Sequence, residues 1–397
     1  MMRLTRRSIK QPWFIRTMIG IALLLVIICL LIFLRRAQTL STPQVTPAEQ
    51  QQRKERDIKQ LSFARTIAGL VLLLVVICAL IFWQVLQWLS APQAMLPGQQ
   101  LWRQGVSSYL FGTNDTYEYS SRNIQTEPAI QRDLRAAGFT LMRSFFPDGA
   151  SDAVIEQNIH TIENSGARCL AVITNIFHVA YDEHLVRYLN RRCVMYEFGN
   201  ESDYNNISIN SYLKQWNTLI PLLRRINPAA KFIGPVTYNY LGMKNYMREF
   251  LEGVKTSGVL PDAISFHWYP CFWDSPAKCL AKASSYGPAA REVQDMVHSI
   301  LGRDLPVGIS EWNFDADLPP PAYGDNAAFI TAFTNDALRS MAQAGVAFAC
   351  QFDAASYSGY GHLDMFQVDT ARPKPQFYAI KALIEQYRPS TPLPLRS

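Results

Sequence analysis

The chain has 397 residues, of which 49% are hydrophobic and 18% are charged, and this composition excludes an intrinsically disordered protein. The net charge of +6 does not indicate nucleic-acid binding, because residues 1–65 hold 12 of the 38 Lys and Arg residues and only 3 of the 32 Asp and Glu. The rest of the chain holds 26 basic and 29 acidic residues. It lacks the basic excess that a nucleic-acid-binding domain needs, so no nucleic-acid partner is expected.

Two apolar segments lie near the N-terminus. Residues 18–34 and 66–89 are free of charge over 17 and 24 residues, and helices of these lengths cross a hydrocarbon core of about 30 Å. They predict two transmembrane helices, preceded by a basic tail at 1–17 and separated by a basic polar loop at 35–65. Identities recur 49 positions apart, as at Cys29 and Cys78, which indicates a duplicated anchor. A signal-peptide core in the first segment, or a start site assigned too far upstream, are the alternatives.

The charges that flank these segments predict their orientation. Loop 35–65 carries seven Lys and Arg residues, and the positive-inside rule assigns it to the cytoplasm. The sequence after residue 89 is then expected on the extracytoplasmic side of the cell membrane, with the lipid bilayer as a partner of the N-terminal helices. Residues 90–98, which include two Pro and one Gly, predict a linker, and residues 391–397 predict a C-terminal tail.

Residues 99–390 alternate between strand and helix patterns. Apolar runs predict strands at 106–112, 140–146, 169–174, 193–198, 232–236, 263–268, 307–310 and 347–352. Helical spacing predicts helices at 129–137, 152–165, 183–191, 209–226, 244–257, 288–301, 326–343 and 378–387. Eight strands that are each followed by a helix predict an α/β fold of the (β/α)8 TIM barrel type. An open doubly wound sheet is the second choice, but the first turn lacks the G-x-G-x-x-G pattern that such sheets carry.

Five cysteines fall in this predicted domain. Cys271 and Cys279 lie in one loop and could form a disulfide outside the membrane, with two free thiols as the alternative. Cys169, Cys193 and Cys350 are interpreted as buried free thiols in strands. No set of Cys and His residues has the spacing of zinc ligands.

Polar side chains close several of the predicted strands. They are Glu201 on strand 4, His267 and Tyr269 on strand 6, Glu311 on strand 7, and Arg143 within strand 2. Active sites of (β/α)8 barrels collect at the C-terminal ends of the strands, so these groups are expected to converge. Two facing carboxylates suit glycosidic cleavage, in which one protonates the leaving oxygen and the other attacks the sugar or activates water.

The strand-end motifs resemble the signature of clan A glycoside hydrolases. Asn200-Glu201 closes strand 4, a His-x-Tyr pattern closes strand 6, and Glu311-Trp312 closes strand 7. Within the clan, the residues around the two glutamates are most similar to families 39, 51 and 79, and the resemblance runs in order from about residue 106 to residue 387. It implies a retaining O-glycosidase with Glu201 as general acid/base and Glu311 as nucleophile.

The resemblance also implies roles for neighbouring side chains. Asn200 would hold the sugar 2-hydroxyl, Tyr269 would donate a hydrogen bond to Glu311, and Arg143 would keep Glu311 ionised. The remaining candidates for substrate binding are His267 and Trp312, which would line the −1 sugar site, and Tyr238 and Asn175, at the ends of strands 5 and 3. The expected substrate is an oligosaccharide, a polysaccharide or a glycoconjugate. No metal or organic cofactor is expected, because two carboxylates complete the chemistry.

Two departures from the family pattern leave alternatives open. Gln351-Phe352-Asp353 ends strand 8 where many clan members have Trp, and Ser202-Asp203 follows Glu201 where families 39 and 79 usually have Pro. A carbohydrate-binding barrel without turnover is therefore the main alternative, and a transglycosylase would use the same two carboxylates. Glu197 is interpreted as a paired structural acid. Asn114-Asp115-Thr116 and Asn206-Ile207-Ser208 match the acceptor pattern for N-glycosylation.

Overall fold

The part of the chain that the computed structural model describes comprises residues 95–115, 124–355, 361–367 and 369–388. The two predicted transmembrane segments, 18–34 and 66–89, lie outside these ranges, so the membrane anchor stays a prediction. Within the described ranges, none of the helices combines the length and the apolar character needed to cross a membrane.

A single parallel sheet forms the centre of the fold, with its eight strands in the order β5-β4-β3-β2-β1-β8-β7-β6. The strands are β1 Gly112–Asp115, β2 Leu141–Phe146, β3 Arg168–Ile173, β4 Met195–Phe198, β5 Lys231–Ile233, β6 Ile264–Trp268, β7 Val307–Trp312 and β8 Phe348–Gln351. Two isolated parallel bridges, Ile233 with Ala263 and Thr237 with Phe266, join β5 to β6. The sheet thus closes on itself, and the predicted (β/α)8 barrel is confirmed.

Helices follow the strands along the chain. They are α1 Pro128–Ala137, α2 Asp152–Asn164, α3 Val179–Leu189, α4 Ile209–Ile226, α5 Tyr246–Ser257, α6 Pro276–Lys282, α7 Tyr286–Leu301, α8 Ala327–Gln343 and α9 Pro375–Tyr387. A short antiparallel pair, β9 Phe366–Gln367 and β10 Arg372–Pro373, precedes α9. Helix α6 was not predicted, because seven residues are too few to show a helical period.

Helix α4 illustrates how the sequence specifies these elements. Its N-cap Ser208 accepts a hydrogen bond from the backbone N–H of Ser211 at 3.2 Å, which satisfies one of the unpaired donors at a helix start. Its residues Tyr212, Trp216, Leu219 and Leu223 recur every three or four positions and are buried. Trp216 packs edge-on against Phe198 of β4, with ring centroids 5.6 Å apart. This contact fixes the strand that leads into Glu201.

The prediction of the first strand was wrong in position. Residues 106–112 were expected to form it, but Arg103–Gly105 and Ser108–Leu110 are 3-10 turns and β1 is Gly112–Asp115. The second turn begins where the Ser107 side chain accepts a hydrogen bond from the backbone N–H of Tyr109 at 3.1 Å. The buried apolar residues of this segment therefore lie in turns. The strand itself is polar, so an apolar run could not locate it.

Disulfides differ in part from the sequence interpretation. Cys271 and Cys279 are joined, with Cα atoms 5.3 Å apart, as the first of the two alternatives had it. Cys169 and Cys193 are also joined, with Cα atoms 5.1 Å apart, so their interpretation as free thiols was wrong. They lie at the starts of β3 and β4, which are neighbours in the sheet, and strand adjacency brings their side chains within bonding range. Cys350 is a buried free thiol, as expected.

The barrel interior has an apolar layer beneath the functional residues. Leu141 of β2, Leu170 of β3 and Met195 of β4 belong to one buried cluster inside the barrel. Side chains two residues apart on a strand point to the same face. Arg143 and Glu197 follow Leu141 and Met195 by two positions, so the strands direct both of these charged groups into the interior.

Candidate active site

Arg143 is the centre of a buried polar network and is fully shielded from solvent. Its Nε donates to Glu197 Oε2 at 2.5 Å, and its Nη1 donates to Glu311 Oε1 at 2.6 Å and to Asn114 Oδ1 at 2.9 Å. Its Nη2 donates to Asn200 Oδ1 at 2.6 Å. The guanidinium therefore links β1, β2, β4 and β7. Burial opposes its charge, but the Glu197 and Glu311 carboxylates outweigh that effect and raise the pKa of Arg143.

Glu311 lies near the end of β7, and its side chain is 9% exposed. Besides the bond from Arg143, its Oε2 accepts a hydrogen bond from the Tyr269 hydroxyl at 3.0 Å. Burial, followed by the Glu311 charge, raises the pKa of Tyr269 well above its usual value, so this hydroxyl keeps its proton and remains a donor. Glu311 thus accepts hydrogen bonds from one cation and one neutral donor.

Glu201 lies three residues after the end of β4 in an uncommon backbone conformation. Its φ is 45°, in the left-handed region that non-glycine residues rarely adopt. The backbone N–H of Glu201 donates to the Val236 carbonyl at 2.9 Å and holds this turn. Gly199 precedes it at a φ of 87°, and a Cβ there would lie 2.8 Å from Ser202 Oγ, so glycine is required. The Glu201 side chain is 18% exposed and is more open to solvent than Glu311.

His267 connects the two carboxylates. Its Nδ1 lies 2.7 Å from Glu201 Oε1 and 3.5 Å from Glu311 Oε2. Burial opposes a charge on its ring, but the charge on Glu311 and the hydrogen bond with Glu201 outweigh burial and raise the pKa of His267. A proton on Nδ1 therefore lies on the hydrogen bond to Glu201. One carboxylate oxygen of Glu201, one of Glu311 and a ring nitrogen of His267 all lie within 4.8 Å of one another.

A metal ion fits this trio poorly. A His and two Glu side chains are suitable ligands for several ions, and their spacing is short enough. However, Arg143 already bonds one oxygen of Glu311 and Tyr269 bonds the other, while His267 bonds Glu201. A bound cation would have to displace these donors and lie beside a buried guanidinium, which is electrostatically unfavourable.

The structure brings six of the nine predicted site residues into one hydrogen-bonded network: Glu201, Glu311, Asn200, Arg143, His267 and Tyr269. Tyr238 is half-buried, and its backbone N–H donates at 3.1 Å to Oδ1 of Asp203, which lies two residues after Glu201 in the chain. Its pKa is raised first by burial and then by the charge on Glu201.

The other two predicted residues lie elsewhere. Trp312 is 1% exposed and packs edge-on against Tyr286 of α7, with ring centroids 6.0 Å apart. The side-chain amide of Asn175 donates to Asp148 Oδ2 at 2.8 Å, a contact between two loops. Neither side chain hydrogen-bonds to the paired carboxylates, and their binding of substrate stays a prediction.

Sequence reasoning missed Asn114 as a site residue. Its side chain accepts the bond from Arg143 and donates to the Ser310 carbonyl at 3.0 Å, and it is fully buried. This burial excludes the glycosylation that its acceptor pattern suggested, because a glycan needs a surface asparagine. In the register of β1 and β2, Asn114 is paired with Arg143. A correct prediction of β1 would therefore have identified Asn114 as a neighbour of Arg143.

Comparison with solved structures identifies proteins of the same fold. The glucosidase from Croceicoccus marinus has a TM-score of 0.56 and 18% identity, covering 74% of this chain and 69% of that chain. The monomeric beta-xylosidase from Caulobacter crescentus has a TM-score of 0.55 and 16% identity, covering 73% and 69%. The alpha-L-arabinofuranosidase from Thermotoga maritima, solved with arabinose, has a TM-score of 0.53 and 12% identity, covering 72% and 71%.

No protein-family model and no curated protein sequence matches the chain. At the identities above, the likeness is one of fold. The chain has the (β/α)8 barrel of these glycoside hydrolases, and the predicted resemblance to clan A is confirmed at that level.

Proposed function

We propose that the protein is a retaining glycoside hydrolase in which Glu311 attacks the anomeric carbon and Glu201 acts as general acid and then general base. The observation that carries the proposal is the close approach of the two carboxylates, since one oxygen of Glu201 lies within 4.8 Å of one oxygen of Glu311. A separation of about 5 Å leaves no room for an inverting water molecule and favours direct attack by one carboxylate.

The surroundings of the two groups support this division of roles. A nucleophile must be ionised, and Glu311 accepts bonds from Arg143 and Tyr269. An acid/base must exchange its proton with the leaving group and with water, and Glu201 is the more exposed of the two. After Glu201 has given its proton to the leaving group, Nδ1 of His267 can donate a hydrogen bond to the carboxylate. Asn200 is fixed by Arg143 beside this pair and is suited to bind the 2-hydroxyl.

The substrate class follows from the same residues. Their side chains can hydrogen-bond to the hydroxyl groups of a sugar, and they contain all the groups that the two displacement steps require. The structural neighbours are a glucosidase, a beta-xylosidase and an alpha-L-arabinofuranosidase, so glucosides, xylosides and arabinofuranosides are the first substrates to test. We propose an oligosaccharide, polysaccharide or glycoconjugate as the natural substrate.

Activity measurements on Glu311→Gln and Glu201→Gln test the proposal with dinitrophenyl glycosides of these three sugars. Glu311→Gln should lose turnover on each substrate by about 10⁴-fold or more, because no nucleophile remains. Glu201→Gln should still form the glycosyl-enzyme from an activated glycoside, and azide should restore its turnover because it needs no base. Full activity in Glu311→Gln would contradict the nucleophile assignment. Absence of turnover in the unmodified protein would favour a carbohydrate-binding barrel.

We further propose that segments 18–34 and 66–89 anchor the enzyme in the cell membrane and that its barrel faces the extracytoplasmic side. The flanking basic residues support this orientation. The disulfides Cys169–Cys193 and Cys271–Cys279 also suit an oxidising compartment. Protease added to intact cells should remove the barrel and leave a membrane-bound N-terminal fragment. A barrel that is protected until the cells are lysed would contradict this topology.

A further inference from the structure

Exposed apolar side chains concentrate around the mouth of the barrel. Of the eleven large apolar side chains that are exposed in the described ranges, seven lie in loops that follow β3 to β7. They are Phe177, Tyr204, Leu241, Met243, Phe272, Trp273 and Leu318. In a (β/α)8 barrel these loops surround the active site, so this part of the surface is the one to search for substrate contacts.

Tyr204 and Tyr238 form a stacked pair in this region. Their ring centroids are 4.8 Å apart and their planes differ by 19°. Tyr238 is half-buried, whereas Tyr204 is 55% exposed. The pair therefore presents one aromatic ring to solvent and supports it from behind with a second ring.

Both members of the pair are connected to Glu201 through the backbone. Tyr204 follows Glu201 by three residues, in a turn where the N–H of Asn205 donates to the Glu201 carbonyl at 2.9 Å. Tyr238 follows Val236 by two residues, and the Val236 carbonyl accepts the N–H of Glu201 at 2.9 Å. The stacked pair thus lies on the side of the site where the acid/base residue is held.

Asp203 fixes the two loops to each other. This carboxylate is buried, and its two oxygens accept the backbone N–H groups of Tyr238 at 3.1 Å and Met243 at 2.8 Å. Asp203 belongs to the pair Ser202-Asp203 that replaces the Pro usual in families 39 and 79. Here the replacement joins the loop after β4 to the loop after β5. The exposed Tyr204 ring is therefore held in place, which lowers the entropy cost of binding against it.

We propose that the Tyr204–Tyr238 pair is the binding platform for the sugar unit of the leaving group, so that the substrate continues as a saccharide chain beyond the scissile bond. The proposal rests on the proposed function, because the general acid must lie beside the leaving oxygen. The flat, apolar face of a pyranose ring matches the exposed face of Tyr204 in size and shape. The two tyrosine rings carry no charge, so the platform suits an uncharged leaving group such as a sugar better than a charged one.

The experiment compares substrates that share a glycon and differ in the leaving group. The full chain in detergent is assayed with β-D-glucosyl fluoride against cellobiose, and with β-D-xylosyl fluoride against xylobiose. A fluoride leaving group has no ring that could stack on Tyr204. The ratio of kcat/KM for the disaccharide to kcat/KM for the fluoride therefore measures the contribution of the platform to binding of the leaving group. Tyr204→Ala should lower this ratio about tenfold, as expected for the loss of one aromatic stacking contact.

Two further variants serve as controls. Tyr204→Trp keeps an aromatic face and should keep the ratio within about twofold of the unmodified protein. Tyr378→Ala removes a tyrosine of α9 that is 57% exposed, similar to Tyr204, and should leave the ratio unchanged. An unchanged ratio in Tyr204→Ala, or an equal fall in Tyr378→Ala, would overturn the platform while the proposed function stands. A preference for octyl glucoside over cellobiose that Tyr204→Ala abolishes would assign the pair to an alkyl chain instead.

Failure of the proposed function gives a different result. If the unmodified protein hydrolyses neither the fluorides nor the disaccharides, calorimetric binding of cellotriose and xylotriose replaces the kinetic ratio. Weaker binding by Tyr204→Ala, with unchanged binding by Tyr378→Ala, would support the platform in a barrel without turnover. Equal binding by all variants, or no binding at all, would overturn it.

Discussion

Arg143 and Glu311 are joined by a 2.6 Å bond between Nη1 and Oε1, although β1 and β8 separate their strands in the sheet. The same guanidinium bonds Glu197 from the side of β4 at 2.5 Å. One buried cation therefore balances two carboxylates, of which only Glu311 reaches the mouth of the site. Arg143 thus pairs with a fully buried acid and with the proposed nucleophile at the same time, and suitable variants should separate these two roles.

Arg143→Met should lower both the free energy of unfolding and the activity. The variant leaves Glu197 buried without a cation, and the loss of one partner from a buried ion pair costs about 3–5 kcal/mol. Urea unfolding of the variant and the unmodified protein measures this difference. A decrease of less than about 1 kcal/mol in the free energy of unfolding would contradict the stabilising role of this ion pair.

Glu197→Gln combined with Arg143→Met should recover part of that stability, because the fully buried carboxylate is removed together with its cation while Glu311 remains unpaired. Activity should not return, since Glu311 still lacks its cation. Recovery of kcat/KM in the double variant would contradict the role of Arg143 at the nucleophile.

Tyr269→Phe should lower kcat by about 10-fold to 100-fold, because it removes a hydrogen bond to a charged group that is worth about 1.5–3 kcal/mol. Tyr286→Phe is the matched control. Its hydroxyl is also buried and donates to the Asn313 backbone carbonyl at 2.8 Å instead of to a carboxylate. The control should lower stability by about 1 kcal/mol and leave kcat unchanged. Equal effects of both variants on kcat would contradict the specific role of Tyr269.

The sequence predicted the barrel and the position of the two glutamates for the same physical reason. Glu201 follows the end of β4 by three residues and Glu311 lies near the end of β7, so their positions at the mouth follow from the strand order of the barrel. Asn114 escaped prediction because β1 is polar and its burial depends on hydrogen bonds to Ser310 and Arg143. Residues from three distant parts of the chain form that environment, and no local pattern contains it.

Contacts between loops could not be predicted from the sequence either. The sequence presents Ser202-Asp203 only as a departure from the family pattern. The two backbone bonds that Asp203 accepts depend on the path of the loop after β5, where Val236 adopts a φ of 57°. Strand adjacency is what pairs Cys169 with Cys193, and spacing along the chain does not carry that information.

Asp182 should make stability depend on pH. It lies in the first turn of α3 and is 1% exposed. Burial, with a smaller contribution from Asp148, raises its pKa from 3.8 to about 8. Between these values the unfolded chain has released the proton while the folded protein retains it. Stability is therefore full below about pH 4 and falls as pH rises towards 8, by at most about 1.4 kcal/mol per pH unit.

Asp182→Asn removes this titration and should flatten the dependence. Urea unfolding at pH 5 and pH 7.5 should show the variant gaining up to about 3 kcal/mol relative to the unmodified protein over that interval. A constant difference between the two proteins at both pH values would contradict the raised pKa of Asp182.

The two disulfides should differ in their effect on activity. Cys169→Ala with Cys193→Ala opens a loop with a sequence separation of 24 residues and should lower the free energy of unfolding by about 3.5 kcal/mol. This disulfide lies at the strand starts, opposite the site, so kcat/KM should be unchanged. Urea unfolding and kinetics on the same preparations measure both quantities.

Cys271→Ala with Cys279→Ala opens a loop with a separation of only 8 residues and should cost about 2.5 kcal/mol. Here kcat/KM should also fall, because Cys271 follows Tyr269 by two residues and its N–H donates to the Phe314 carbonyl at 3.0 Å. The disulfide thus stabilises the segment that carries the donor to Glu311. A loss of stability without any loss of kcat/KM would mean that the bond to Phe314 positions Tyr269 without the disulfide.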